Sequence, residues 1–141
     1  MSSEEYIEGT KGFSFPNGWP KSAEIKKYVG GCHCGKFRYE TEFPSLEKAP
    51  VIKCNCTSCS QKGAMVIHPP LSKFHLTQGT LDELSKYQYG KKVVTHYFCP
   101  VCGSQLVSFV TPYGVAAVNV NTLDDINPSE LIIQEFDGKN Y

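Results

Sequence analysis

Arginine is nearly missing from this sequence. Arg38 is the only one, and the other 13 basic residues are lysines. Phosphate recognition by bidentate guanidinium forks is therefore close to excluded. Net charge is missing as well, with 14 Lys+Arg against 14 Asp+Glu, so the basic footprint of a nucleic-acid binder is absent. The Lys26-Lys27 and Lys91-Lys92 pairs are too short to change that. Long apolar runs are lacking: Ala64 to Ile67 and Val115 to Val118, at four residues each, are the longest, and neither spans a membrane. The start, Met1-Ser2-Ser3-Glu4-Glu5, is acidic and leads into no apolar run, so no signal peptide is expected. The expected location is cytoplasmic, with the nucleus open to a chain this small.

Cysteine is what the sequence has in excess: seven in 141 residues, all in clusters. Cys32 and Cys34 form C-x-C, Cys54, Cys56 and Cys59 form C-x-C-x-x-C, and Cys99 and Cys102 form C-x-x-C. An odd count without a secretory signal argues against a disulfide framework. Structural zinc takes four tetrahedral ligands, and catalytic zinc often takes three protein ligands plus an open position. Seven thiolates divide most economically as four plus three. Cys32, Cys34, Cys99 and Cys102 close one site, and the middle trio leaves a position free. Two other divisions stay open at this point: the middle trio completed by His96, and His33 as a ligand within the first clip. A C-x-x-C redox dithiol is a further reading, but it leaves five cysteines unexplained.

No repeat, linker or low-complexity tract divides the chain, and its length fits one domain. We expect an N-terminal arm over 1–27, a zinc-binding domain over 28–136 and a tail over 137–141. Phe13 to Pro20 alternates aromatics with chain breakers and reads as an ordered arm whose aromatics pack on the core. Phe37, Tyr39 and Thr41 alternate with Arg38 and Glu40, the period of a half-buried strand. Short Val-, Ile-, Phe- and Tyr-rich segments follow at Val51-Ile52, 64–67, 74–77, 93–98, 105–110, 115–121 and 131–136. Thr80 to Ser85 holds a capped turn, with Thr80 and Glu83 as a capping box. Thr57 to Lys62 reads as a turn. His96 reads as a strand side chain, and His68 and His75 as surface or edge residues. The expected fold is mainly β, one antiparallel domain stapled by two zinc sites, the four-thiolate one worth roughly 10 kcal/mol or more to folding.

The three clusters, in the order G-G-C-x-C-G, C-x-C-x-x-C and F-C-x-x-C-G, resemble the family of glutathione-dependent formaldehyde-activating enzymes. This is also called the S-(hydroxymethyl)glutathione synthase or centromere-protein-V-like family. All seven cysteines match, as do Gly31, Gly35 and Gly103, and Asn119 to Asp124 resembles the family's closing strand and turn. The resemblance implies an Mss4-like β fold with two zinc ions per chain. It implies a structural zinc on Cys32, Cys34, Cys99 and Cys102, and a catalytic one on Cys54, Cys56 and Cys59. Two features depart from the family: Ser60-Gln61-Lys62 follows the last middle cysteine where many relatives place Arg, and the arm before Gly30 is longer than in compact members.

The implied activity is that of a carbon–sulfur lyase or synthase. It joins a glutathione-type thiol to an aldehyde such as formaldehyde, and zinc turns the thiol into the nucleophile. Lys53 and Lys62 flank the middle loop and are candidate partners for glutathione's carboxylates, or simply solvated lysines. Asn55, Thr57 and Ser58 are candidate donors to the zinc-bound sulfurs. A non-catalytic, zinc-stabilised protein-binding module is the alternative, and a zinc-buffering or redox-sensing protein is a third. Exposed edge strands in a small β-domain make a homodimer a further expectation.

Overall fold

The computed structural model describes residues 5–140. The breaker-rich start of the chain gives only a short ladder, β1 (Tyr6–Ile7) with β2 (Trp19–Pro20). Between them the Thr10 hydroxyl accepts from the Trp19 backbone N–H and donates to the Ile7 carbonyl, which fixes Trp19 in the core. Phe15 and Trp19 each meet Phe43 edge-on, so the aromatics of the arm pack on the core as expected.

The next strands are β3 (Ile25–Gly31) and β4 (Arg38–Pro44). In β4 the alternation is realised: Tyr39, Thr41 and Phe43 are buried while Arg38, Glu40 and Glu42 are half-exposed. Then come β5 (Val51–Cys54), the helix α1 (Thr57–Lys62), β6 (Val66–Ile67), β7 (Phe74–Gln78) and β8 (Ser85–Tyr87). The chain closes with β9 (Val94–Phe98), β10 (Gln105–Val110), β11 (Val115–Asn119) and β12 (Ile133–Phe136). Strands β3, β4 and β7 make one sheet, and a seven-stranded sheet runs in the order β12-β5-β6-β11-β10-β9-β8. Side chains from both sheets, among them Phe37, Tyr39, Ile67, Leu106 and Val118, form one core. No helix among the described residues is long and apolar enough to cross a membrane.

The fold is mainly β, as expected, and its pairings are antiparallel except one. The last strand, β12, lies parallel to β5, with Phe136 opposite Cys54. A parallel neighbour needs a long crossover, and here everything between the two strands supplies it. Strands β3 and β8 carry no alternating signal in the sequence. Strand β3 owes its form to pairing with β4 from Ile25–Pro44 to Gly31–Arg38.

Two local expectations are corrected. Residues 57–62 form a helical turn and a half, because Cys56 caps the start by accepting from the Cys59 N–H and Gly63 ends it in the left-handed region, φ 62°. His68 is buried rather than at the surface: the Phe13 ring covers it at 4.5 Å between centroids. His75 is exposed as expected, and Thr80 and Glu83 do form the capping box.

Burial pulls His68 down to about 4, and burial together with Lys62 does the same to His96. Both are therefore neutral in the folded protein. The unfolded chain takes up these protons below about pH 6.5 and the folded chain only near 4, so their stabilisation is complete above 6.5 and is lost as the pH falls between the two. We expect His68→Gln to flatten the decline of stability from pH 6.5 to 4, by on the order of 2–3 kcal/mol across that window. Chemical denaturation at a series of pH values checks this, and an unchanged slope contradicts it.

Candidate metal centres

Each cysteine cluster sits on a turn that the local sequence dictates. In the first clip the Gly35 N–H bonds the Cys32 carbonyl at 3.1 Å, and Gly35 takes φ 81°. In the third, the Gly103 N–H bonds the Cys99 carbonyl at 2.8 Å, and Gly103 takes φ 77°. Glycine after the second cysteine thus lets each loop fold back tightly. The first clip lies between β3 and β4 and the third between β9 and β10, so each sheet contributes one hairpin end. There the sulfurs of Cys32, Cys34, Cys99 and Cys102 all lie within 4.8 Å of one another.

Cys34 Sγ is 3.6 Å from both Cys32 Sγ and Cys99 Sγ. A tetrahedron with metal–sulfur bonds of ~2.3 Å has edges of about 3.8 Å, so the spacing suits a metal and is far too long for a disulfide. Charge tells the same story. The Ser104 hydroxyl and N–H draw Cys102 down to about 5, whereas Cys34 rises to about 11 despite a bond from the Lys36 N–H, through its desolvation and its neighbouring thiols. Thiols this close ionise together only around a cation. Backbone N–H groups already point at sulfur, from Phe37 to Cys32 at 3.3 Å and from Val101 to Cys99 at 3.4 Å.

The middle cluster is built at the junction of β5 and α1. Cys54, Cys56 and Cys59 also lie within 4.8 Å of one another, and no fourth Cys, His, Asp or Glu joins them among the described residues. The Cys56 N–H points at Cys54 Sγ and the Cys59 N–H at Cys56 Sγ, both at 3.4 Å. Burial and the thiols of Cys56 and Cys54 push Cys59 up to about 12. Burial opposes ionisation of Cys56 too, but the Cys59 N–H and the adjacent thiols outweigh it and lower that group. The donor set suits a soft or borderline cation, zinc included.

Neither histidine alternative survives. His33 is exposed and outside both groups of sulfurs. His96 is buried on β9, where its Nδ1 meets the Ser108 hydroxyl at 2.7 Å and its ring stacks on Tyr89 at 5.6 Å.

Two cavities flank the middle loop. The larger, about 720 Å³, lies between α1 and the outer strands and is lined by Thr57, Ser58, Lys62, Lys86, Tyr87 and Tyr89, among others; it reaches Gly103 beside the four-cysteine group. The smaller, about 360 Å³, contains Cys54 and Cys59 in its wall, with Lys53 and Phe136. Lys62 and Lys53 thus face different cavities. Lys62 also lies 5.5 Å from the centroid of the Tyr87 ring. The side chains of Asn55, Thr57 and Ser58 do not supply the bonds to sulfur described above, which come from the backbone. Asn55 instead turns toward residues 137–139, and Ser58 shares the wall of the larger cavity with Tyr89. Lys86 and Tyr89 were invisible in the sequence, because only the β8–β9 pairing carries them to α1.

A crystal structure of a Rhodobacter sphaeroides protein is similar to this chain at 27% identity and a TM-score of 0.66, covering 75% of this chain and 99% of that one. The model of the glutathione-dependent formaldehyde-activating enzymes matches residues 27–136, which include all seven cysteines. By that match over most of its length, the chain belongs to the glutathione-dependent formaldehyde-activating enzyme family.

Proposed function

We propose that the protein is a zinc-dependent enzyme that makes and breaks a carbon–sulfur bond between a glutathione-type thiol and a small aldehyde, formaldehyde by family. The observation that carries this reading is the three-thiol cluster beside two cavities, with no fourth protein ligand among the described residues. Cys54, Cys56 and Cys59 would hold the catalytic zinc, and Cys32, Cys34, Cys99 and Cys102 the structural one. Zinc bound by the middle trio supplies deprotonation of an incoming thiol at neutral pH, because thiols ligate as thiolates.

The chain's own residues do the rest. Glutathione carries two carboxylates, and Lys62 and Lys86 give the larger cavity two cations with no acidic residue in its wall among the described residues. Tyr89, which burial raises above the usual phenol range, stays protonated and offers a donor there. His96, held neutral behind Tyr89, adds no charge to compete with those lysines. In the forward direction the thiol sulfur bonds the aldehyde carbon, and the proton given up by the thiol ends on the former carbonyl oxygen. The reverse reaction breaks the same carbon–sulfur bond. Such chemistry needs reduced cysteines, which fits a cytoplasmic location.

Cobalt substitution followed by glutathione titration tests the reading. We expect a saturable change in the sulfur-to-cobalt and d–d bands of one of two cobalt centres, and about a tenfold weaker midpoint in Lys86→Ala, the loss expected for one charge-assisted bond. A spectrum that glutathione does not alter would overturn the proposal.

A further inference from the structure

The segment after β12 lies beyond the residues that the family model matches, yet it is pinned to the middle cluster. Asn55, between two of the three cysteines, makes two bonds to it and a third to the last residue of β12. Its backbone N–H donates to the Phe136 carbonyl at 3.1 Å, its Nδ2 donates to Asp137 Oδ1 at 2.9 Å, and its Oδ1 accepts from the Lys139 N–H at 2.9 Å. Between those anchors Gly138 passes so close to Cys54 that a Cβ would overlap Cys54 Sγ and come within 3.5 Å of Cys56 Cβ. Phe136 and Asp137 form part of the wall of the smaller cavity, together with Cys54, Cys59, Ser60 and Gly63. The Phe136 ring is itself backed edge-on by Phe13 of the arm, at 5.8 Å.

We propose that Phe136 to Lys139, held by Asn55, is a strap that fixes the Cys54 sulfur and narrows the smaller cavity, so that the middle site admits small electrophiles and turns away bulky ones. This deepens the functional reading above and rests on it: the strap forms one wall of the cavity by which the second substrate, the aldehyde, would reach the middle site. Asn55 and Gly138 are positioning residues, acting through Cys54. Lys139 contributes its backbone N–H, not its side chain.

The test uses the full chain with its metal bound and two thiol reagents, iodoacetamide and the bulky N-(1-pyrenyl)maleimide. Peptide mass spectrometry reads the rate at Cys54 relative to exposed Cys34 in the other cluster. In the wild type we expect Cys54 to discriminate against the bulky reagent by about tenfold or more, a preference largely erased in Gly138→Ala and in Asn55→Ala as the strap opens. Lys139→Ala should keep it. Equal discrimination in the wild type and both strap variants would overturn the proposal, and so would acceleration at Cys34 matching that at Cys54, which marks general loosening. The metal content of the wild type is read separately. If the middle site carries none, the functional reading fails, while the reagent ratio still decides the strap.

Discussion

Cys102→Ser is expected to yield little soluble folded protein, whereas Cys56→Ser folds and carries one metal ion fewer. The difference lies in what each cluster joins. The four-sulfur group links the β3–β4 hairpin end to the β9–β10 hairpin end, and Cys32 and Cys99 are themselves buried members of the core. A thiolate metal site that ties distant segments supplies about 10 kcal/mol or more of folding free energy, comparable to the whole stability of a domain. The middle trio, by contrast, spans residues 54–59 of one loop and closes no long segment. Metal analysis with far-ultraviolet circular dichroism on both variants decides this. Equal loss of folding would make the middle site structural too, and a full metal complement in Cys56→Ser would break the ligand assignment.

Gly31→Ala should be strongly destabilising, at about 3 kcal/mol. The cause is space rather than conformation. Its φ is not in the left-handed region, but a Cβ there runs into the Phe37 carbonyl oxygen and sits 2.8 Å from Arg38 Cδ. Relief requires β3 and β4 to part, and with them the first cysteine clip. Gly35→Ala makes the useful contrast. There φ is 81° with nothing within 4 Å of a Cβ, so the cost is only the conformational one, about 1 kcal/mol. Thermal melts of the two variants at fixed metal concentration give the order, and a larger loss in Gly35→Ala would reverse the argument.

These cases show which features the sequence encodes locally. The cysteine spacing was legible because ligand chemistry restricts it so tightly, and β4 because burial on one face imposes a period of two. Strand β3 was not, since Lys26, Lys27, Gly30 and Gly31 carry no such period and the strand exists through its partner. The glycines of the first clip were visible as a motif, but the reason for Gly31, a neighbour's carbonyl, is tertiary. The same holds for His68, hidden by a phenylalanine from the distant arm, and for Lys86 and Tyr89, which sheet pairing brings to a helix some 25 residues earlier in the chain. Helix α1 is not legible because its capping side chain is Cys56, a residue type whose spacing points to a metal ligand rather than to a helix start.

The parallel pairing of β12 with β5 also sets an order of assembly on the ribosome. Synthesis proceeds from the N-terminus, so all four cysteines of the group between the two hairpin ends have been made by Cys102, some 30 residues before β12 begins. Until Ile133 to Phe136 emerge, β5 has an open edge and the cysteine at its end has no neighbour on that side. The loop that bears Cys54, Cys56 and Cys59 is therefore among the earlier parts of the chain to be made and among the last to be finished.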